Sequence, residues 1–420
     1  MEADRQFAIE VVRTLSDAGF QALWAGGCVR DQMLGVTPKD YDVATNATPQ
    51  EIRKLFGHQR TLPIGAAFGV ITVLGSRVQG QIEVATFRKD AGYSDGRHPD
   101  SVSFSSAEED AQRRDFTING LFFNPLTNEV LDYVGGQADL ERQVLRAIGD
   151  PHERLAEDKL RMLRAIRFAA SYGFKLDEET KAAVTEHADE IGIVSVERIS
   201  AELRRMLIHR RRKLAVQLLQ ETNLLTTILP EFSSELIAVY WSETLAALEL
   251  LETPTFATSF ALLLRPVCEA AEDPTAKLEQ IGRRLKLSND EIASLVFQLR
   301  HYQLILSGEA GDWPVLQRVL IDDRVSELVT FCRALSKQLG RGAEGVQFSE
   351  KKLALKSTEL NPPRLLDGND LRDAGIPAGP HYKDLLKSIR DEQLMGRLDS
   401  AEAALAFAKG YWDKLATSDE

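Results

Sequence analysis

Two carboxylates flank a tyrosine in Asp40-Tyr41-Asp42, and a Gly-Gly pair precedes them in LWAGGCVRDQ (Leu23–Gln32). In an extended strand alternate side chains share a face, so Asp40 and Asp42 are expected to point together with Tyr41 opposite. Two carboxylates on one face suit a hard divalent cation, most often Mg²⁺. A paired-metal site activates an attacking hydroxyl and steadies a leaving pyrophosphate. Gly26 and Gly27 let backbone amides approach phosphate oxygens, and the helix expected after them favours an anion at its start. Arg30 adds a fixed charge. A lone Gly-Gly is usually a tight turn, and a lone DxD usually an exposed strand edge. Here the two occur in order with Arg30-Asp31 between them, which fits one nucleoside triphosphate lying across both.

A third carboxylate, Glu83, sits in the apolar run QIEVATF. A charge there is unexpected unless ligated or paired. Two readings stand: a third member of the acidic site, or an ion pair with an arginine such as Arg88.

These residues need a scaffold. FQALWAG reads as a strand entering the Gly-Gly turn, CVRDQML as a short helix and KDYDVAT as a strand. TPQEIRKLF carries a helix start, with Thr48 as N-cap, Pro49 at the first position and Glu51 at the third. FGVITVLG and GQIEVATFR read as strands joined by a turn near 76–80. RKDAGYSDGRHPDSVSF reads as a loop, and His98 within it as a loop residue. EEDAQRRDFTINGLFFN reads as helix, and EVLDYVGGQADL as strand, turn and helix entry. After Gly149-Asp150-Pro151 nearly every segment has helical period. SKQLGRGAEGVQFSEKK is the best candidate linker inside that helical part. The fold class predicted is an α+β head, a small mixed sheet with helices, followed by an all-α C-terminal half.

With 420 residues, two to four domains are expected. The formal net charge of −12 argues against a nucleic-acid binder held by global charge, though not against a local basic track. Cys28, Cys268 and Cys332 form no zinc pattern, and a reducing, cytoplasmic setting is expected. The N-terminal stretch reads as an acidic amphipathic helix rather than a signal peptide, and no apolar run is long enough for a membrane span.

GGCVRD (Gly26–Asp31), DYD (Asp40–Asp42), RRDFTIN (Arg113–Asn119), DYVGGQADL (Asp132–Leu140), EDKLRMLRAIRF (Glu157–Phe168) and ERISAELRRML (Glu197–Leu207) occur in one order. Together they resemble the class II tRNA nucleotidyltransferases and bacterial poly(A) polymerases of the polymerase-β superfamily. The resemblance covers roughly the first half of the chain; a weaker likeness extends to DAGIPAGPHYKDLLKSIRDEQLMGRL. It implies a head over 1–145, a helical neck over 146–212, a body over 213–335 and an RNA-binding tail over 336–420. It implies that Asp40 and Asp42 hold catalytic Mg²⁺ with Glu83 beside them. It also implies that Gly26, Gly27, Arg30, Asp31, Arg113, Arg114, Asp115 and Asn119 serve the nucleotide's phosphates and ribose.

In the same family, residues at the positions of Asp158 and Arg161 hydrogen-bond the incoming base in place of a template. Acceptor carboxylate and donor guanidinium suit that work. Read from spacing alone, the two are an i, i+3 pair on a helix. Glu157 would brace the arginine, and Arg164 and Arg167 would reach the triphosphate. A loop such as 88–104 accompanies terminal A addition. The basic run Arg204, Arg205, Arg210, Arg211, Arg212 and Lys213 suits RNA backbone phosphates, or else balances an acidic surface. The expected activity is CCA addition to tRNA from CTP and ATP. The alternatives are a poly(A) polymerase, a CC-only or A-only enzyme, and a catalytically dead RNA-binding protein on the same scaffold.

Overall fold

In a computed structural model, which describes residues 2–91 and 101–416, the chain forms two compact units. The first runs to Ile237 and takes in Arg284–Lys286; the second holds Ala238–Arg283 and continues from Leu287. The helix Arg212–Glu221 packs onto Leu160–Tyr172 within the first unit.

The first unit is built on a seven-stranded mixed sheet. Its strands are β1 (Ala22–Ala25), β2 (Asp42–Thr45), β3 (Thr61–Leu62), β4 (Val70–Leu74) and β5 (Gln81–Thr86); after the separate pair β6 (Arg88–Ala91) and β7 (Ser101–Phe104) come β8 (Leu121–Asn124) and β9 (Glu129–Asp132). The order is β3-β4-β5-β2-β1-β8-β9. Only β2 and β5 run parallel, and their register sets Asp42 opposite Glu83. Helix α1 (Glu2–Asp17) packs against β1, β2 and β5 through a stripe that buries Phe7, Val11 and Leu15. Leu23, Ala25, Ala44, Phe87 and Phe122 make a second core together with Ala107 and Ala111.

Helix α2 (Gly27–Met33) follows the Gly26 turn. Helix α3 (Pro49–Phe56) has the expected capping box, with Thr48 and Glu51 satisfying each other's backbone N–H groups. Helices α4 (Ala107–Gln112), α5 (Gly136–Arg142), α6 (Pro151–Glu157), α7 (Leu160–Tyr172), α8 (Glu178–Glu186), α9 (Val196–Leu207) and α10 (Arg212–Glu221) complete the frame. The turn into α5 is held by Asp132, whose carboxylate accepts the N–H groups of Val134, Gly135, Gly136 and Gln137.

Five local readings are corrected. EEDAQRRDFTINGLFFN is not one helix: α4 ends at Gln112, a single 3₁₀ turn spans Thr117–Asn119, and LFFN is β8. EDKLRMLRAIRF is split between α6 and α7, because the Asp158 carboxylate accepts the Leu160 N–H and Asp158 leaves helical geometry. The helical period running through SVERISAELRRMLIHRRRKLAVQLLQ is interrupted at 208–211, between α9 and α10. The loop expected from Arg88 begins and ends as the ribbon β6–β7, whose strands of four residues each are too short to give a clear period. Residues 92–100, His98 among them, lie outside the described residues. Finally, SKQLGRGAEGVQFSEKK is two helices, Val325–Leu339 and Ala343–Leu353, joined by residues 340–342.

In the second unit those two helices pack with Phe256–Glu269 and Asn289–Ser307. A terminal group, Gly368–Asp373, His381–Leu394 and Ala401–Ala416, encloses Leu371, Leu385, Ile389, Ala404 and Ala408. Among the described residues no helix is long and apolar enough to cross a membrane. A Cβ on Gly345 would stand 2.4 Å from the Ile305 carbonyl oxygen and 2.3 Å from that of Leu306. Gly345→Ala is therefore expected to destabilise by about 1–3 kcal/mol through overpacking, seen as a lower urea midpoint in tryptophan fluorescence.

Candidate active site

The site is built where β1 gives way to α2. Gly26 has φ 72°, and a Cβ there would come within 2.7 Å of the Arg114 guanidinium, so the close approach needs glycine. Asp42 opens β2, and Asp40 lies in the segment leading into it rather than in the strand. Tyr41 turns the other way, onto Trp24 at 4.7 Å between ring centroids. Asp42 is exposed, yet most of its surroundings are protein. That desolvation first, then the neighbouring Asp40 and Glu83, pushes its carboxyl up to about 6, against a smaller pull from Arg114. Among the described residues no ion pair reaches Asp40, Asp42 or Glu83, so the pairing of Glu83 with Arg88 is not formed. Arg88 instead donates to the Phe68 carbonyl.

The arginines, by contrast, are each matched to a carboxylate. Asp110, 2% exposed, accepts from Arg113 (Nε 2.9 Å, Nη2 2.7 Å) and from Arg114 (Nε 3.2 Å, Nη2 3.0 Å). Arg114 also donates to the Asn119 carbonyl at 3.2 Å. Asp115 accepts Nε and Nη2 of Arg164 at 2.8 and 2.6 Å, the Asn119 amide at 3.0 Å and the Phe116 N–H at 2.9 Å. Burial pushes its carboxyl up, but Arg164 and Asn119 outweigh that and hold it below the usual range. All four of its lone-pair positions are taken, so Asp115, read from the resemblance as a ribose or phosphate partner, is here a tie between the turn and α7.

Arg30 was expected to face a phosphate. The structure buries it instead: it bonds Asp31 at 2.8 Å and Asn119 at 2.5 Å, and its guanidinium lies 4.6 Å over the Tyr172 ring. The Tyr172 hydroxyl, pushed up to about 12 chiefly by burial, stays protonated and donates to Asp31 at 3.0 Å. Glu157 braces Arg161 as expected, and Arg161 also donates to the Arg154 carbonyl. Asp158 pairs with Arg198 at 2.7 Å, not with Arg161, so the plain i, i+3 salt bridge is absent. Arg167 binds the buried Glu202 at 2.5 Å rather than projecting freely. Of the basic run, Arg205 and Arg210 are exposed, Arg204 and Lys213 half-buried, and Arg211 donates to the Ser171 carbonyl. Arg212 is 3% exposed and corrects its expected RNA contact, because α10 turns it into the packing.

Asp110, Tyr172, Arg198 and Glu202 were not singled out from sequence. Asp110 had a local signal, standing three and four residues before Arg113 and Arg114, and so did Glu202, three before Arg205. The others act across long separations.

A mixed-sheet head carrying unpaired carboxylates beside an array of held arginines defines a nucleotidyltransferase. Residues 22–146 match the Poly A polymerase head domain, and residues 173–236 match the probable RNA and SrmB-binding site of polymerase A. The chain is 33% identical to a CCA-adding enzyme of Levilactobacillus brevis, over 96% of this chain and 97% of that one. It is 35% identical to one of Enterococcus faecalis, over 96% and 95%. The Bacillus stearothermophilus CCA-adding enzyme in complex with CTP superposes with TM-score 0.77, at 27% identity over 98% of both chains. The Thermotoga maritima enzyme complexed with tRNA shares the fold at TM-score 0.69 and 18% identity, over 97% and 95%. This chain belongs to the CCA-adding enzyme family.

Asp115→Ala leaves Arg164 and Asn119 without their buried acceptor and is expected to cost about 3–5 kcal/mol in urea unfolding. The pH sign follows from the lowered carboxyl. Its stabilisation is present above the unfolded value of ~3.9 and is lost as pH falls through the folded value. Asp115→Asn should therefore unfold with a shallower pH dependence below about pH 4 than the parent.

Proposed function

We propose that this chain adds C, C and A in turn to the 3′ ends of tRNA, using CTP and ATP and releasing pyrophosphate. The observation that carries this reading is the juxtaposition of unpaired carboxylates at β2 and β5 with Arg114, which feels Asp42 and borders the Gly26 turn. Near-full-length similarity to CCA-adding enzymes supports the same reading.

Asp40 and Asp42 are the residues that would hold Mg²⁺. Among the described residues no group of three or more His, Cys, Asp or Glu is arranged as a metal cage. Mg²⁺ does not need one, since it is commonly held by one or two carboxylates plus substrate phosphates. Burial first, then the neighbouring Asp40 and Glu83, raises Asp42, and such an ion would relieve the part that is carboxylate repulsion. When bound, the ion would assist attack of the tRNA 3′-hydroxyl and take up charge on the departing pyrophosphate.

Around that centre, the residues of this chain orient and neutralise. The Gly26 N–H is taken by the Leu121 carbonyl at 3.0 Å, so the Gly27 amide and the guanidinium groups of Arg113 and Arg114 are the donors that meet the triphosphate. Asp158 and Arg161 present acceptor and donor to the base edge, each steadied by a partner: Arg198 for Asp158 and Glu157 for Arg161. Arg205 and Arg210, with Arg204 and Lys213, give the RNA backbone a cationic track. The proposed division is a head over 1–145, neck over 146–212, body over 213–335 and tail over 336–420.

Three expected outcomes test this. With Mg²⁺ and tRNA transcripts ending before CCA, before CA and before A, product lengths on a sequencing gel should show two C additions, one A, then a stop. Long A tails on any RNA with ATP alone would make the chain a poly(A) polymerase. Asp42→Ala should abolish transfer with circular dichroism unchanged; retained transfer defeats the metal assignment. Arg161→Ala should change the proportions of CTP, ATP, GTP and UTP incorporated, by about 10-fold or more where a bidentate contact is lost; unchanged proportions defeat base reading.

A further inference from the structure

We propose that Asp110 is a positioning residue of the reaction: it aims Arg113 and Arg114 at the nucleotide and locks their placement to the start of the β6–β7 ribbon. The proposal rests on the triphosphate role given to the two arginines above.

One buried carboxylate does three things. Its Oδ1 takes the fork of Arg113 and, at 3.3 Å, the backbone N–H of Arg88, the first residue of β6. Its Oδ2 takes the fork of Arg114. Five donors thus converge on a side chain that is 2% exposed. Burial opposes its charge, but Arg114 and Arg113 outweigh that and keep it ionised. Two guanidinium groups share the one carboxylate. Both arginines keep about a fifth of their side-chain surface, at 21% and 20%. A free arginine samples many rotamers; a forked pairing fixes its plane. Arg113 further donates to the Arg88 carbonyl at 3.1 Å, so the same strand is held through both its N–H and its C=O. Moving the ribbon therefore moves the arginines.

The arrangement is more than a helix salt bridge. An i, i+3 or i, i+4 pair on a solvated face leaves both partners exposed. Here the acid is sealed under α4 with Ala107 and Ala111, and only the cations emerge. An exposed neighbour supplies the contrast: Glu109 pairs with Lys89 at 3.1 Å with both groups in solvent.

The test uses full-length protein and tRNA lacking its CCA. Asp110→Asn keeps the shape but replaces half of the carboxylate with a donor. KM for CTP and ATP should rise about 10- to 100-fold, as for loss of a hydrogen bond to a charged group, with KM for tRNA and CD spectrum unchanged. Amide exchange at Arg88 should quicken. Glu109→Gln should alter neither. Arg113→Lys and Arg114→Lys keep the charge but lose the fork; they should show the same KM rise, and they carry the test if Asp110→Asn does not fold. Combining Asp110→Asn with Arg114→Lys should add little to either single change. Unchanged nucleotide KM, or losses that multiply in the double variant, would overturn the proposal. A wild-type chain that extends no tRNA is a different result and defeats the functional reading itself.

Discussion

Asp115 is a buried carboxylate that must find donors, and the site is arranged around that demand. Leaving such a charge unmatched costs several kcal/mol, so its partners are constrained as strongly as the residue itself. It takes Arg164 from α7 and Asn119 from the 3₁₀ turn after α4. Asn119 in turn binds Arg30, and Arg30 binds Asp31 and lies over Tyr172 at the end of α7. The chain of contacts closes on itself. It joins the turn after β1 to α7, the helix that carries Arg161.

The electrostatics divide into two kinds of group. Asp110, Asp115 and Glu202 are buried and matched to arginines, so their charge is structural. Among the described residues, Asp40, Asp42 and Glu83 are exposed and take part in no ion pair, with Arg114 exerting only a smaller pull on Asp42.

The break between α6 and α7 shows how a site departs from local preference. Period and propensity favour one helix through EDKLRMLRAIRF. Instead the Asp158 side chain bonds the Leu160 N–H, and its carboxylate is free to take Arg198 from α9. Held on an unbroken helix, Asp158 would face along α7 with Arg161. The break separates acceptor from donor, and each gains its own brace.

What the sequence by itself determined was local or ordered along the chain. The Thr48–Glu51 capping box, the Gly26 turn, the alternation that sets Tyr41 opposite Asp42, and the division into mixed head and helical remainder depend on neighbours a few residues apart. So did Glu157 with Arg161, four residues away. Tertiary structure decided which arginine meets which acid. Arg164 with Asp115, Asp158 with Arg198 and Arg167 with Glu202 are separated by 49, 40 and 35 residues. A guanidinium offers the same donors to any carboxylate or phosphate, so its type reveals nothing about its partner. Only packing brings one acid within 3 Å and excludes the rest. That is why Arg30 and Arg212, read as ligands from charge alone, proved to be buried parts of the frame, and why Asp110 emerged only when burial showed what its two arginines were held by.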